Sequence, residues 1–200
     1  MNFPFSRKPP TSEQPPKKVL LGFVFELVQV MVISLAIIIP VRYFLVQPFY
    51  VKGASMEPNF YDHEYLVIDE LSYRFHQPMR GDIVVFRYPN DPKQFFIKRV
   101  IGLPGETVEI AGGQVKVYNA KNPNGVVLDE HAYLDQDFTG TDRTVTLKSD
   151  EYFMLGDNRV ASLDSRYFGP VNASFIIGRV WLRGWPLDRW KVFHDPSYPL

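Results

Sequence analysis

Between Lys18 and Arg42 the chain reads VLLGFVFELVQVMVISLAIIIPV, twenty-three residues without a lysine, arginine or aspartate. As an α-helix this run is about 35 Å long, enough to cross a hydrocarbon core of about 30 Å with some tilt. No other feature restricts the fold so strongly. A helix buried in a water-soluble core repeats its polar residues with a period near 3.6, whereas nearly every face here is apolar. A cleavable signal peptide has a shorter apolar core, about 7–15 residues, and ends at a small-x-small site. This run ends IIIPVRYF without such a site, so it reads as an uncleaved anchor over residues 19–41. Arg7, Lys8, Lys17 and Lys18 precede it, and Arg42 and Lys52 are the nearby cations after it. The positive-inside rule then puts the N-terminus in the cytoplasm and the remainder outside, as a single-pass protein of the cell membrane. Residues 1–18, with RKPPTSEQPP, are too proline-rich and polar to pack a core and read as a disordered cytoplasmic tail. Glu26 and Gln29, three apart, share a helix face. They are either tolerated polar positions or a contact for a neighbouring helix.

After residue 46 the pattern changes. EYLVIDE, DIVVFRY, FFIKRVIGL, TVEIAGGQVKVYN, TVTL and IIGRVWLRGW are short β-branched and aromatic runs, separated by turn signals such as PND, LPGE, AGG and NPNG. With no amphipathic helix between them, residues 42–200 read as a mainly β, coiled-sheet or barrel-like domain outside the membrane. Phe49, Tyr50, Phe60 and Tyr61, with Trp181, Trp185 and Trp190, suit either a lipid interface or a core.

The chemistry available is narrow. Basic and acidic residues number 22 each, so no global field points to nucleic acid. Cysteine is absent, which removes thiol catalysis, disulfides and thiolate metal sites. His63, His76, His131 and His194 have no ligand spacing and read as surface or loop residues, so no metal is expected. A catalyst built from this chain works with oxygen, amine and backbone groups.

Three stretches carry such groups. VKGASMEPN, residues 51–59, offers Ser55 shortly after the apolar run. It is either a turn hydroxyl bonding its own backbone or a nucleophile that needs a base elsewhere. FFIKRVIGLPGE places Lys98 in an apolar strand. Alternation puts Phe96, Lys98 and Val100 on one face and Phe95, Ile97 and Arg99 on the other. Lys98 is therefore either a desolvated amine able to act as a base or a snorkelling surface lysine. GDNRVASLDSR, residues 156–166, brings Asp157, Asn158, Arg159, Ser162, Asp164, Ser165 and Arg166. These form either a hydrogen-bonded loop around a site or a capped turn with surface ion pairs worth about 1 kcal/mol or less.

SMEP, GDIVVFRYPNDPKQFFIKRVIGLPGE and GDNRVASLDSR, in that order behind one anchor, resemble the bacterial type I signal peptidases, the Ser-Lys leader peptidase family. The resemblance runs through most of residues 45–185. It implies a membrane-bound serine endopeptidase that removes signal peptides from exported preproteins after small-x-small motifs. By match to the motifs, Ser55 is the nucleophile and Lys98 the general base. Ser162 holds the lysine amine, Asp164 and Arg166 form a structural ion pair, and Asp157 supports them. The oxyanion region falls at Gly53, Ala54 and Ser55. No metal or organic cofactor is implied. The implied partners are signal peptides of secretory preproteins and the lipid bilayer, with export machinery as a further candidate and no nucleic acid.

The chain departs from the family pattern in three places. Gly53 stands where some members carry a Ser or Thr hydroxyl that completes the oxyanion hole. Asn59 replaces a common Thr. The segment 111–150 is short, so the accessory β domain of some relatives reduces to a small cap. Two rival readings remain. A self-cleaving repressor-type Ser-Lys protease carries a helix-turn-helix where this chain has its anchor. A non-catalytic β scaffold tethered to the membrane requires Ser55 and Lys98 to lie far apart.

Overall fold

The computed structural model describes residues 16–44, 46–134 and 139–193. The chain divides into two units, Met1–Arg42 and Tyr43–Leu200. In the first, helix α1 spans Pro16–Phe44. A proline suits its opening turn, where no N–H bond is required. The helix thus extends beyond the anchor expected over 19–41 at both ends, and residues 16–18 are helical rather than part of a tail. The rest of that expected tail, 1–15, lies outside the described residues. None of the window Leu20–Ile39 is buried within the chain, and its Leu, Ile, Val and Phe side chains are exposed. By length and composition α1 is able to cross a membrane.

The second unit is mainly β. Its elements are β1 (Val46–Tyr50), β2 (Tyr65–Asp69), β3 (Ile83–Tyr88), β4 (Asp91–Gly102), β5 (Thr107–Ala111), β6 (Gln114–Tyr118), β7 (Val126–Val127), β8 (Arg143–Thr146), β9 (Glu151–Leu155), the short helix α2 (Ser165–Phe168), β10 (Val171–Asn172), β11 (Ile176–Trp185) and β12 (Lys191–Val192). Every pairing is antiparallel. The larger sheet runs β1-β2-β11-β3-β4-β9-β10, with β12 beside β11. The smaller runs β7-β6-β5-β8, its strands falling between Thr107 and Thr146.

The small sheet follows from local rules. In β5 and β6 the apolar residues alternate, and Val108, Ile110, Val115 and Val117 all point inward. The hairpin closes Ala111 onto Gln114 through Gly112 and Gly113, whose φ angles are +57° and +85°. Two consecutive left-handed residues are what a tight two-residue hairpin demands, and glycine supplies them without strain. This face packs on Ile101, Phe153 and Leu155 of the larger sheet. There a β-carbon on Gly102 would overlap Val108, Leu147 and Phe153, so the sheets meet too closely for any side chain at that position.

Strand β4 organises the site. Along one edge β3 pairs with it as far as Arg99. On the other edge β9 joins only from Arg99 to Gly102. Among the described residues, the half of β4 before Arg99 therefore keeps one edge unpaired, and β1 ends the sheet. The aromatic residues separate as well. Phe60 is fully buried, whereas Tyr50, Tyr61, Trp181, Trp185 and Trp190 are exposed. Tyr50, Tyr65 and Trp185 sit in register across β1, β2 and β11.

Candidate active site

Ser55 lies on a turn pinned at both ends by apolar anchors. Val51, Met56 and Phe60 are buried together with Leu66, Ile68, Ile83, Val85 and Val180. Burial of the adjacent Met56 fixes the turn, which explains why a methionine follows the serine. Backbone bonds brace the same segment: Val51 N–H donates to Glu64 C=O at 2.8 Å, and Phe60 N–H to Met56 C=O at 2.8 Å. Gly53 adopts φ +90°, and its N–H donates to Asp62 Oδ1 at 2.8 Å. On the far side Arg183 donates to the Asn59 carbonyl at 2.8 Å and pairs with buried Glu64 at 3.1 Å.

Lys98 arrives from β4. Its Nζ stands 2.7 Å from Ser55 Oγ and 2.8 Å from the Ile97 carbonyl oxygen. The side chain is 3% exposed, which excludes the snorkelling alternative. Phe96 lies beneath the amine, 5.3 Å from ring centre to Nζ, and is itself packed against Tyr88, Phe86 and Phe168. A charge in such surroundings loses its hydration. Desolvation accordingly lowers the Lys98 pKa from 10.5 to about 8, partly opposed by the carboxylates of Asp164 and Asp157. The aromatic face favours the ammonium only weakly, so burial dominates.

The loop after β9 completes the site. Its ion pairs are buried rather than superficial: Asp157, Arg159, Asp164 and Arg166 are each at most 5% exposed. Arg99 grips Asp157 with two bonds, Nε to Oδ1 at 2.8 Å and Nη2 to Oδ2 at 2.7 Å. Asn59 Nδ2 adds a third bond to Asp157 at 2.9 Å. Arg166 holds Asp164 in the same two-pronged manner, both bonds 2.8 Å. Asp164 also accepts from Gly156 N–H at 3.1 Å and caps α2 through Arg166 N–H. Arg159 pairs with Glu130 at 2.5 Å and also donates to Thr139, tying the loop to the segment after β7.

Gly156 makes close approach possible. A β-carbon there would overlap the Ser162 hydroxyl and the Ser55 carbonyl oxygen. Beside it Asn158 N–H donates to Ser55 C=O at 3.0 Å, and Asn158 Nδ2 donates to Ala54 C=O at 3.0 Å.

The sequence-derived residues thus converge on Ser55, with one exception in detail. The resemblance gives Ser162 the task of holding the lysine amine. In the structure the amine bonds Ser55 and Ile97, and among the described residues the buried Ser162 Oγ has no hydrogen-bond partner. Sequence reading missed Glu130, Glu64 and Arg183 and named Arg99 and Asn59 without their partners, which lie far along the chain. It named Asn158 without a task. Among the described residues no cluster of His, Cys, Asp and Glu is arranged to hold a metal.

A groove of about 370 Å³ opens beside Ser55 and Lys98. Phe49, Val51, Leu66, Val85, Phe95 and Ile97 supply its apolar walls. It lies between β1 and the half of β4 that keeps a free edge. An unpaired strand edge beside an apolar groove is able to take an extended chain through main-chain hydrogen bonds.

Comparison with known proteins gives a consistent picture. The family model described as signal peptidase, peptidase S26, matches residues 24–185. A probable signal peptidase I-2 of Synechocystis sp. is 39% identical over 191 residues, covering 92% of this chain and 82% of that protein. A signal peptidase I of Leptolyngbya laminosa is 36% identical over 174 residues, covering 83% of this chain and 82% of that protein. A crystal structure of a signal peptidase I from Enterococcus faecalis is 35% identical, with a TM-score of 0.43, and covers 52% of this chain and 97% of that one.

Proposed function

The chain belongs to the signal peptidase family, peptidase S26, and is a serine peptidase; from that premise we propose that it removes signal peptides from exported preproteins with a Ser55–Lys98 dyad. The observation that carries this reading is the 2.7 Å approach of Lys98 Nζ to Ser55 Oγ in surroundings that disfavour the ammonium. A purely structural scaffold has no need of a buried amine at a serine hydroxyl.

Each step uses groups already in position. Neutral Lys98 accepts the Ser55 proton as Oγ attacks the scissile carbonyl, and the resulting ammonium protonates the leaving amine. Water then enters, gives a proton to Lys98 and attacks the ester, and Lys98 returns that proton to Ser55. The Ser55 N–H, to which no described residue accepts a hydrogen bond, is the oxyanion donor; one such donor is worth about 3–4 kcal/mol. Gly53 has no hydroxyl to offer and its N–H is engaged by Asp62, so the hole depends heavily on Ser55 itself. Asp157, gripped by Arg99, and Asp164, gripped by Arg166, hold the loop that packs on the Ser55 turn.

The proposed cut follows a small-x-small motif, with the residues before it lying in the apolar groove beside Ser55. Helix α1 serves as a single-pass anchor with the N-terminus cytoplasmic and the β unit outside. Exposed Tyr50, Tyr61 and the tryptophans suit a lipid interface. Confinement of enzyme and signal peptide to one membrane raises their effective concentration.

The test is cleavage of a preprotein bearing an Ala-x-Ala site, in detergent and lipid, with the product's new N-terminus sequenced. Wild type cutting after that motif, with Ser55→Ala and Lys98→Ala silent, is the expected result. Equal cleavage by all three, or silence from folded wild type, overturns the reading.

A further inference from the structure

Two features of the site leave a question: how does an oxyanion hole resting on the Ser55 N–H keep that donor aimed? The N–H of Ser55 and the C=O of Ala54 belong to one planar peptide unit, so whatever grips the carbonyl also sets the direction of the N–H. The Ala54 carbonyl accepts two bonds, from Glu57 N–H at 3.2 Å within the turn and from Asn158 Nδ2 at 3.0 Å. The second partner lies 104 residues away and is the one that ties this peptide to the rest of the site.

The Asn158 side chain has a fixed sense. Its Oδ1 accepts from Ala161 N–H at 3.1 Å, which leaves the amide nitrogen facing Ala54. Its backbone N–H meanwhile donates to the Ser55 carbonyl at 3.0 Å. One residue therefore holds the carbonyls on both sides of the Ser55 α-carbon. A hydrogen bond accepted at a peptide C=O also polarises that peptide and strengthens donation by its N–H.

We propose that Asn158 is a positioning residue for the oxyanion hole, its side-chain amide clamping the Ala54–Ser55 peptide so that the Ser55 N–H meets the developing oxyanion. This rests on the proposed serine peptidase chemistry at Ser55. The clamp matters more in this chain because Gly53 provides no hydroxyl as a second donor. It acts in the transition state, where the oxygen carries charge, and little in substrate binding.

Asn158→Asp removes the Ala54 donor while retaining an acceptor for Ala161, and Asn158→Ala removes the donor without adding charge. Both keep the backbone bond to Ser55. Full-length variants, with folding confirmed by near-ultraviolet circular dichroism, are assayed at high pH where Lys98 is neutral. Losing one oxyanion donor outright costs about 100–1,000-fold in kcat, so misaiming it should cost roughly 10–100-fold, with KM within about twofold of wild type. A peptide aldehyde, which forms a hemiacetal oxygen in the hole, should bind more weakly by the same factor, while the cleaved product peptide binds as before. The pH midpoint of Asn158→Ala should match wild type.

Unchanged kcat, a loss of kcat with undiminished aldehyde affinity, or a displaced midpoint in Asn158→Ala overturns the assignment. The parallel Ser55→Ala variant separates the two levels. Activity that survives Ser55→Ala overturns the serine chemistry and this inference with it. Activity lost in Ser55→Ala but intact in both Asn158 variants overturns this inference alone.

Discussion

Arg99 holds both carboxylate oxygens of Asp157, at 2.8 and 2.7 Å, across 58 residues of chain. Arg99 adjoins Lys98 and Asp157 adjoins Asn158, so this one ion pair ties the strand that delivers the amine to the loop that grips Ser55. Both members are buried, and the guanidinium also stacks 3.8 Å above the Tyr133 ring. Removing one member leaves the other charged and unpaired in the interior. Asp157→Ala should therefore cost about 3–5 kcal/mol, a fall in Tm of roughly 10 °C for a unit of this size. Thermal unfolding of the full chain checks this. A replacement of both members, Arg99→Met with Asp157→Leu, should recover part of the loss, and a single-variant Tm within about 2 °C of wild type would contradict the buried pair.

Gly156 should tolerate no side chain. Its missing β-carbon leaves room for the Ser162 hydroxyl and the Ser55 carbonyl oxygen, and the latter is backbone, unable to rotate aside. Gly156→Ala must displace the serine turn, and a shift near 1 Å at reacting groups costs on the order of 100-fold in rate. Adding Ser162→Gly should not restore activity, because the overlap with the Ser55 carbonyl remains. Steady-state kcat/KM of the single and double variants decides it, and near-wild-type turnover in Gly156→Ala would refute the close packing.

Lys98→Met should be inactive yet more stable near pH 6. The folded-state pKa of Lys98 is lowered from 10.5 to about 8, mainly by desolvation. At about 1.4 kcal/mol per pKa unit, that is a cost of roughly 3 kcal/mol for the charged amine in the folded state. Because the folded value lies below the unfolded one, the cost is complete below about pH 8. It shrinks as pH rises from 8 to 10.5 and is absent above. Methionine has a similar length and carries no charge. The advantage of Lys98→Met in thermal unfolding should be greatest at pH 6 and fade toward pH 10.5. A variant less stable than wild type at pH 6 would mean that the amine is well solvated.

Local signals in the sequence carried much of this structure. Apolar length marked α1, alternation marked β5 and β6, and the glycine pair marked their turn. On β4 the same alternation put Lys98 on one face and Arg99 on the other. It gave no sign that both are buried, because Lys98 is covered by the Ser55 turn and Phe96, and Arg99 by Asp157, Gly81 and Tyr133. The polarity of residues 156–166 left open a surface turn, whereas the carboxylates are covered by Arg99 and Arg166. The Arg99–Asp157, Arg159–Glu130 and Arg183–Glu64 pairs join distant positions, and no local pattern announces such partners. Motif resemblance brought Ser55 and Lys98 together on the page, but the aromatic floor of Phe96, Phe86 and Phe168 emerged only in three dimensions. For Ser162 the resemblance named a contact with the amine that the structure does not form.

The central claim is that Lys98, losing its proton around pH 8, is the base for Ser55. The chain contains no cysteine, so a Lys98→Cys substitution introduces a single thiol that 2-bromoethylamine converts to a lysine analogue with sulfur replacing one methylene. Sulfur withdraws electrons, so this amine is less basic than that of lysine. The decisive measurement is the pH profile of kcat/KM for wild type, Lys98→Cys and the aminoethylated variant. The account predicts a wild-type rise with pH through about 8, no turnover in Lys98→Cys, and activity regained on aminoethylation with the midpoint moved to lower pH. Turnover in untreated Lys98→Cys, or restored activity with an unmoved midpoint, would contradict it.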